Sequence, residues 1–234
     1  MLAGLKGQLE TMKIVLASSS PRRQSILRDN LGLDFTVMVP DFAEDVDKSS
    51  CRDAEDYVSR TCKFKAQEVA IRVSLHNRIV PTDIIIAADT IVVLDDTILE
   101  KPSSVENAIA MLSNLSGRQH RVLTAVTIAY RRDCHLFNAK TSSSPIASES
   151  MIAGDYMMRT FCSSTEVTFA ELSPEIISSY VATGEPLDKA GGYGIQSLGS
   201  SFVTKINGCY FNIVGFPLNM FCSELSELFQ SKDA

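Results

Sequence analysis

The apolar run at residues 84–88, Ile-Ile-Ile-Ala-Ala, limits what this chain can fold into more than any other stretch. The run is too short to form the core of a helix, and its side chains are apolar without alternation. Both properties favour a β-strand that is buried on both faces. Asp89 follows the run directly, so we expect this residue to end the strand.

Asp89 is the most informative carboxylate in the sequence. A charge at the end of an apolar strand costs several kcal/mol unless it is hydrogen-bonded, paired or bound to a metal. The ends of strands are also where α/β proteins build their sites. Asp89 is therefore a candidate site residue. The alternative is a carboxylate that only caps a turn.

A tight hairpin is predicted next, with strands at residues 91–94 and 97–99 joined by two aspartates. Because a hairpin folds back on itself, we expect it to return Lys101 toward Asp89. Lys101 is then a candidate partner for a phosphate group. The alternative is an ordinary surface lysine that precedes a helix.

A second candidate site lies near the amino terminus, where a strand predicted at residues 13–17 runs into a helix. Ser20 is a good N-cap, and Pro21 suits the first helical position. Arg22 and Arg23 then fall in the first turn, where backbone N–H groups and the helix dipole already supply positive charge. A phosphate-bearing ligand would compensate these charges. The alternative is a capped helix with solvated arginines.

Glycines crowd residues 184–196, and this pattern predicts a loop with unusual backbone dihedrals. Gln196 ends the segment with an amide that both donates and accepts, as the reading of a base edge requires. A purely structural turn is the alternative. The segment matches neither a Walker A loop nor the dinucleotide-binding fingerprint. We treat His76, His120 and His135 as bystanders because none sits in a nucleophile motif.

Composition bounds the class of protein. The chain has 234 residues, of which 45% are hydrophobic, and this fits one large domain or two closely joined lobes. The net charge of −6 argues against a nucleic acid or an acidic membrane surface as a partner. Six scattered cysteines without a CxxC pair favour free thiols in a reducing compartment. Without a signal peptide or a membrane-length apolar run, we expect a cytoplasmic protein.

The remaining elements are predicted from apolar periodicity and from turn residues. Helices are expected over residues 53–74, 103–117, 173–182 and from 217 onward, and the basic residues of the first of these helices are expected to be solvated. Strands are expected at residues 34–39, at 121–130 and up to 170, and a hairpin at 202–206 and 210–214. The serine-rich residues 131–155 are expected to form a surface insertion.

Three of these segments together resemble the Maf family of nucleotide pyrophosphatases. They are Leu-Ala-Ser-Ser-Ser-Pro-Arg-Arg at 16–23, Ala-Ala-Asp-Thr-Ile-Val-Val at 87–93 with Leu-Glu-Lys-Pro at 99–102, and the glycine-rich segment 184–196. Residues 207–218 are similar to the closing segment of the family. The resemblance implies one Maf-like domain over 1–234, with only an N-terminal extension (1–12) and the insertion (131–155) outside the pattern.

The resemblance also implies a fold and a reaction. The fold is α/β, a mixed twisted sheet with flanking helices and two lobes around a cleft, and members are commonly homodimers. The reaction is the hydrolysis of a nucleoside triphosphate to the monophosphate and pyrophosphate with a divalent metal, Mg²⁺ or Mn²⁺. No nucleic acid or membrane partner is implied.

Residue roles follow from matching positions of the family pattern. Asp89 matches the proton acceptor, and Glu44 joins it as a metal ligand, although Asp41 or Asp45 could be the acidic partner instead because this region aligns loosely. Phosphates would be bound by Ser18, Arg22, Arg23 and Lys101. Arg22, Thr90 and Gln196 match the branch that acts on dTTP and UTP rather than the branch that acts on 7-methyl-GTP.

Two other classes of function stay open at this point. The first is a nucleotide-binding regulator of cell division without significant turnover, although the presence of Asp89 and Lys101 argues against lost catalysis. The second is a nucleic-acid-binding module, which the net charge disfavours.

Overall fold

The structure is a computed structural model that describes residues 2–42, 46–76, 82–134, 137, 148–151 and 156–230. The strands are β1 (Ile14–Ala17), β2 (Thr36–Val37), β3 (Ile84–Leu94), β4 (Thr97–Leu99), β5 (Gln119–Arg131), β6 (Ser148–Met151), β7 (Tyr156–Phe169) and β8 (Val203–Asn207). The α-helices are α1 (Lys6–Glu10), α2 (Pro21–Ser25), α3 (Ala54–His76), α4 (Val105–Leu115), α5 (Pro174–Ala182), α6 (Tyr210–Val214) and α7 (Leu218–Gln230).

The strands form one eight-stranded sheet of mixed direction. Its order is β2-β1-β3-β5-β7-β6, with β4 paired to β3 and β8 paired to β7. β1 runs parallel to β2 and β3, whereas β4 is antiparallel to β3, and β6 and β8 are antiparallel to β7. The predicted α/β class with a mixed sheet is confirmed.

The chain divides into two compact units. Unit 1 comprises Met1–Asp89, Ala125–Cys162 and Phe216–Ala234, and unit 2 comprises Thr90–Thr124 and Ser163–Gly215. Each unit buries its own apolar side chains. Those of unit 1 include Leu16, Leu27, Ile85, Phe161 and Phe221. The core of unit 2 includes Val92, Leu112, Val167, Phe169 and Val181.

The predicted turn from strand to helix near the amino terminus is confirmed. β1 is buried along its whole length, and Ser20 caps α2 by accepting a hydrogen bond from the backbone N–H of Arg23. The helix then continues as a π-helical segment, Ile26–Asn30. Gly32 follows in the left-handed region at φ 65°, a conformation that glycine adopts without steric cost.

Strand β3 corrects the expectation that Asp89 ends a strand. β3 runs without a break from Ile84 to Leu94 and already contains the first strand of the predicted hairpin, whose second strand is β4. A carboxylate is tolerated within this buried strand because Asp89 is paired with a buried cation, Lys65.

The predicted hairpin at residues 202–206 and 210–214 is wrong. β8 pairs with β7 instead, and residues 210–214 form helix α6. Side-chain bonds explain the difference, because the Asn212 amide donates to the carbonyl of Val122 and to the hydroxyl of Thr165. Gly215, at φ 117°, then ends the helix.

Two further boundaries differ from the sequence pattern. Helix α4 begins at Val105 rather than at residue 103, because the Ser104 hydroxyl caps it by accepting a hydrogen bond from the N–H of Asn107. Within the predicted insertion, β6 pairs with the start of β7, while residues 135, 136, 138–147 and 152–155 lie outside the described residues.

None of the helices in the described part of the chain is both long and apolar enough to cross a bilayer.

Candidate functional site

Asp89 forms a buried ion pair with Lys65 in unit 1. The ammonium nitrogen Nζ of Lys65 lies 2.6 Å from Oδ1 of Asp89, and both residues are buried. Such a pair is held ionised by mutual attraction, and removal of either partner would leave a buried charge without compensation. The expectation that the basic residues of α3 are all solvated is therefore wrong for Lys65.

The sequence contains a signal for Lys65 that the search for apolar periodicity missed. Val58, Cys62, Lys65 and Val69 are spaced by four, three and four residues, which places them on one face of α3. The three neighbours of Lys65 on this face are fully buried. A lysine within such a buried face needs an acidic partner, and Asp89 is that partner.

The turn between β1 and α2 brings Ser18 and Arg23 into contact. The buried hydroxyl oxygen of Ser18 accepts a hydrogen bond from Nη1 of Arg23 at 3.2 Å and from the backbone N–H of Ser20 at 3.2 Å. Since both contacts use the oxygen as acceptor, the Ser18 proton is left to be donated. Arg22 beside them is half-buried. This is a cluster of donors suited to an anion.

The buried thiol of Cys62 lies one helical turn before Lys65 on the same face of α3. Burial raises the pKa of Cys62 to about 12, while a hydrogen bond from Thr127 lowers it; Asp89 raises it further, and Lys65 and Arg23 lower it. Cys62 itself is protonated at neutral pH and is not a nucleophile.

Thr90, the first residue of unit 2, is half-buried and lies 3.0 Å, oxygen to oxygen, from the hydroxyl of Thr124. The Thr124 hydroxyl donates in turn to the carbonyl oxygen of Asn212 at 2.9 Å. Helix α6 therefore supports the position of Thr90 through one intermediate side chain. Sequence reasoning did not single out Thr124 or Asn212.

The segments that carry Lys101 and Gln196 are joined by a backbone hydrogen bond in unit 2. The N–H of Gly191 donates to the carbonyl of Glu100 at 3.1 Å, directly before Lys101. Gly191 has φ 67°, and a Cβ at this position would lie 2.7 Å from Cγ2 of Val92. Only glycine permits this approach. Lys101 and Gln196 are both exposed.

The remaining predicted site residues are Lys101 and the three acidic candidates Asp41, Glu44 and Asp45. Lys101 and Asp89 belong to different units, so their predicted proximity stays a prediction. Glu44 and Asp45 lie outside the described residues. Asp41 is exposed, and its backbone N–H donates to the carboxylate of Glu68.

The carboxylate of Asp89 is a donor of the kind that Mg²⁺ and Mn²⁺ take. Among the described residues, no group of three or more His, Cys, Asp or Glu side chains could hold a metal ion. Mg²⁺ is usually bound through one or two carboxylates together with substrate phosphates. Asp89 would supply one carboxylate ligand to such a cation.

A bystander in the sequence pattern, His120, supports the glycine-rich loop from β5. Its Nε2 lies 2.8 Å from the hydroxyl oxygen of Tyr193, and the rings of both residues pack edge-on against Phe169. Burial lowers the pKa of His120 to about 4. His120 is therefore neutral at pH 7.

This burial predicts a loss of stability in acid. Unfolded His120 binds a proton near pH 6.5, whereas folded His120 binds one only near pH 4. The stability that neutral His120 contributes to the fold is therefore complete above pH 6.5 and is lost as the pH falls toward 4. We expect His120 to lower the free energy of unfolding by about 2 kcal/mol between pH 8 and pH 5. Urea unfolding of the wild type and of His120→Gln at both values measures the difference. An equal pH dependence in the two proteins would contradict it.

Comparison with known proteins finds a matching family model and relatives about 40% identical in sequence. A family model described as Maf-like protein matches residues 13–228. A dTTP/UTP pyrophosphatase of Clostridium perfringens is 40% identical over 209 residues, 89% of this chain and 93% of its own. A nucleoside triphosphate pyrophosphatase of Dictyostelium discoideum is 41% identical over 209 residues, 89% of this chain and 87% of its own.

A longer human relative matches almost the whole chain. The probable bifunctional dTTP/UTP pyrophosphatase/methyltransferase protein of Homo sapiens is 43% identical over 231 residues. The match covers 98% of this chain but only 34% of the human protein, so the chain spans about a third of that relative. With the family model matched from β1 into α7, the chain belongs to the Maf family.

Proposed function

We propose that this protein hydrolyses nucleoside triphosphates, with dTTP and UTP as preferred substrates, to the monophosphate and pyrophosphate. The observation that carries the proposal is the buried pair of Asp89 and Lys65, in the same unit as the Ser18–Arg23 contact. A buried carboxylate in the same unit as a cluster of cationic and N–H donors suits water activation next to bound phosphates, and β1 pairs with β3 so that Ala17 lies opposite Ala87. The names of the Clostridium and Dictyostelium relatives support this reaction.

In the proposed reaction, water attacks the α-phosphorus, and the bond between this phosphorus and the oxygen that bridges to the β-phosphorus breaks. Asp89 orients the water and accepts its proton. Lys65 favours the ionised form of Asp89, in which the carboxylate can act as a base. Pyrophosphate leaves with the bridging oxygen, and the water oxygen stays on the monophosphate.

The phosphates are bound by groups of the amino-terminal turn. Arg22 and Arg23 supply guanidinium groups that bind phosphate oxygens in pairs, and Ser18 supplies a hydroxyl proton. Lys101 adds a further positive charge by the matched family pattern. Transition-state charge on the phosphates is thereby neutralised by fixed groups rather than by water.

The proposal includes a divalent cation, Mg²⁺ or Mn²⁺, that Asp89 and Glu44 would hold together with phosphate oxygens. Such a cation supplies additional neutralisation of the phosphates. The support is the carboxylate chemistry of Asp89, since metals of this hardness prefer oxygen ligands. Removal of metal with EDTA is expected to lower turnover, and Mg²⁺ or Mn²⁺ is expected to restore it.

Base preference is assigned to Arg22, Thr90 and Gln196, which match the branch that acts on dTTP and UTP. Thr90 is supported by Thr124, and Gln196 ends the glycine-rich segment, so both lie on elements with defined packing. The relatives named dTTP/UTP pyrophosphatase support the same preference.

Two properties of the whole molecule belong to the same proposal. We place the protein in the cytoplasm, because all six cysteines lie in the described part of the chain and none of them is in a disulfide there. We also propose a homodimer. Exposed Phe64, Ile71 and Leu75 on one stripe of α3 supply an apolar surface for such an assembly, and light scattering measures its mass.

Turnover in ¹⁸O-labelled water tests the reaction itself. We expect dTTP and UTP to yield equal amounts of monophosphate and pyrophosphate faster than CTP or 7-methyl-GTP, with the label in the monophosphate. Release of orthophosphate, or label in pyrophosphate, would contradict attack at the α-phosphorus. Tight binding of nucleotide without any product would favour the regulator.

A further inference from the structure

The loop around Gln196 is held at both ends by one pair of side chains in unit 2. Gln196 lies between two 3₁₀ turns, Ala190–Gly192 and Leu198–Phe202, and its own side chain is exposed. An exposed glutamine on a loop has many rotamers and orientations. A base edge can be read only where the backbone that carries the amide is fixed.

The carboxylate of Glu185 accepts three hydrogen bonds. Oε1 accepts from the hydroxyl of Tyr180 at 3.0 Å and from the N–H of Gly199 at 3.3 Å, and Oε2 accepts from the N–H of Leu198 at 3.2 Å. An ionised carboxylate accepts only, so each of these donors is matched in polarity. Glu185 thus fixes the chain directly after Gln196.

Tyr180 fixes the chain directly before it. While its hydroxyl proton goes to Glu185, its oxygen accepts from the N–H of Gly194 at 3.2 Å. Burial raises the pKa of Tyr180, and Glu185 raises it further, so the hydroxyl stays protonated and able to donate. Together, Tyr180 and Glu185 bind the backbone on both sides of Gln196.

Glycines make this arrangement possible. A Cβ on Gly199 would lie 2.7 Å from the hydroxyl oxygen of Tyr180 and 2.9 Å from the backbone of Gly194. Any side chain at residue 199 would therefore push this residue away from Tyr180 and from the backbone of Gly194. Gly199 therefore allows the close contact with Tyr180 because it has no Cβ.

We infer that Tyr180 and Glu185 are positioning residues for Gln196 and set the preference of the site for uracil or thymine over cytosine. The inference rests on the proposed function, because it assigns Gln196 to the base. Uracil and thymine present an N3–H donor where cytosine presents an acceptor. Discrimination between them therefore depends on which end of an amide faces the base.

Binding of non-hydrolysable UTP and CTP analogues to the full chain tests the inference without turnover. We expect Glu185→Gln, which replaces one accepting oxygen by a donor, to lower the ratio of affinities for UTP over CTP by about tenfold. Tyr180→Phe is expected to do the same. Glu175→Gln, an exposed glutamate on α5, serves as the matched control and should leave the ratio unchanged.

Hydrogen exchange tests whether Glu185 fixes the loop, and Gln196→Ala tests whether Gln196 sets the base preference. The amides of Gly194, Leu198 and Gly199 should exchange faster in Glu185→Gln, and Gln196→Ala should abolish the preference. An unchanged ratio in Glu185→Gln and Tyr180→Phe, or a wild type without preference, would overturn the inference. A wild type that prefers the UTP analogue but hydrolyses no triphosphate would support the inference and refute the proposed function.

Discussion

Replacement of Asp89 by asparagine is expected to lower kcat for UTP by about 10²- to 10⁴-fold, the range that a lost general base produces. The substitution preserves the shape of the side chain but removes its ability to take a proton from water. Affinity for the non-hydrolysable analogue should persist, since Arg22 and Arg23 are retained. Single-turnover kinetics and analogue binding measure the two quantities separately.

The ion pair with Lys65 complicates this experiment in a predictable way. Asp89→Asn leaves the buried ammonium of Lys65 without its carboxylate, and breaking such a pair costs about 3 to 5 kcal/mol. The double variant Lys65→Met/Asp89→Asn removes both charges. It should regain stability but not turnover.

Asp95→Asn provides the matched control for Asp89→Asn. Asp95 sits on the turn after β3, at φ 51°, where asparagine is also tolerated, and its exposed carboxylate pairs with Arg118. We expect unchanged kcat and a small change in stability, because surface pairs contribute little. Normal turnover in folded Asp89→Asn would remove Asp89 from the proposed mechanism.

The elements that sequence patterns predicted best are those in which local chemistry and burial agree. β1 and the start of β3 are continuous apolar runs, and α2 begins at Ser20 and Pro21 as capping rules require. At these positions no distant partner is needed to decide the conformation.

The errors occur where a distant partner decides instead. Residues 210–214 have the β-branched and aromatic composition of a strand, but bonds from Asn212 to Val122 and Thr165 favour a helix. Asp89 continues a strand because of Lys65, which lies 24 residues earlier in the chain. Tertiary contacts of this kind cannot be read from a window of neighbouring residues.

The residues of the candidate site also differ in whether the sequence alone could identify them. Arg22, Arg23 and Asp89 stood out because their charge conflicts with their local surroundings. Lys65 and Thr124 did not, since one looked like a solvated residue of a helix and the other like an ordinary strand residue. Their importance depends on side chains that they contact across the fold.

Gly191→Ala is expected to lower the free energy of unfolding by about 2 to 5 kcal/mol, the sum of backbone strain and overpacking. Gly191 has φ 67°, and the added methyl group would lie 2.7 Å from Cγ2 and 2.9 Å from Cβ of Val92. Val92 is a buried residue of β3 in the core of unit 2, so it cannot move aside freely. Urea unfolding measures the change.

Gly32→Ala separates the two contributions. Gly32 has nearly the same backbone conformation, φ 65°, but no atom lies within 4 Å of the position that a Cβ would take. Its substitution should cost only the strain, about 1 to 2 kcal/mol. Equal losses in the two variants would show that the contact with Val92 contributes nothing.

A functional consequence of Gly191→Ala follows from its hydrogen bond to the carbonyl of Glu100. Relief of the clash with Val92 requires the glycine-rich segment to move away from β3, which stretches this bond and shifts Lys101. Because the hydrogen bond between Gly191 and Glu100 joins the segments of Lys101 and Gln196, phosphate binding and base preference should weaken together. A higher KM for UTP with a lower preference over CTP is therefore expected in Gly191→Ala, while both values should stay unchanged in Gly32→Ala.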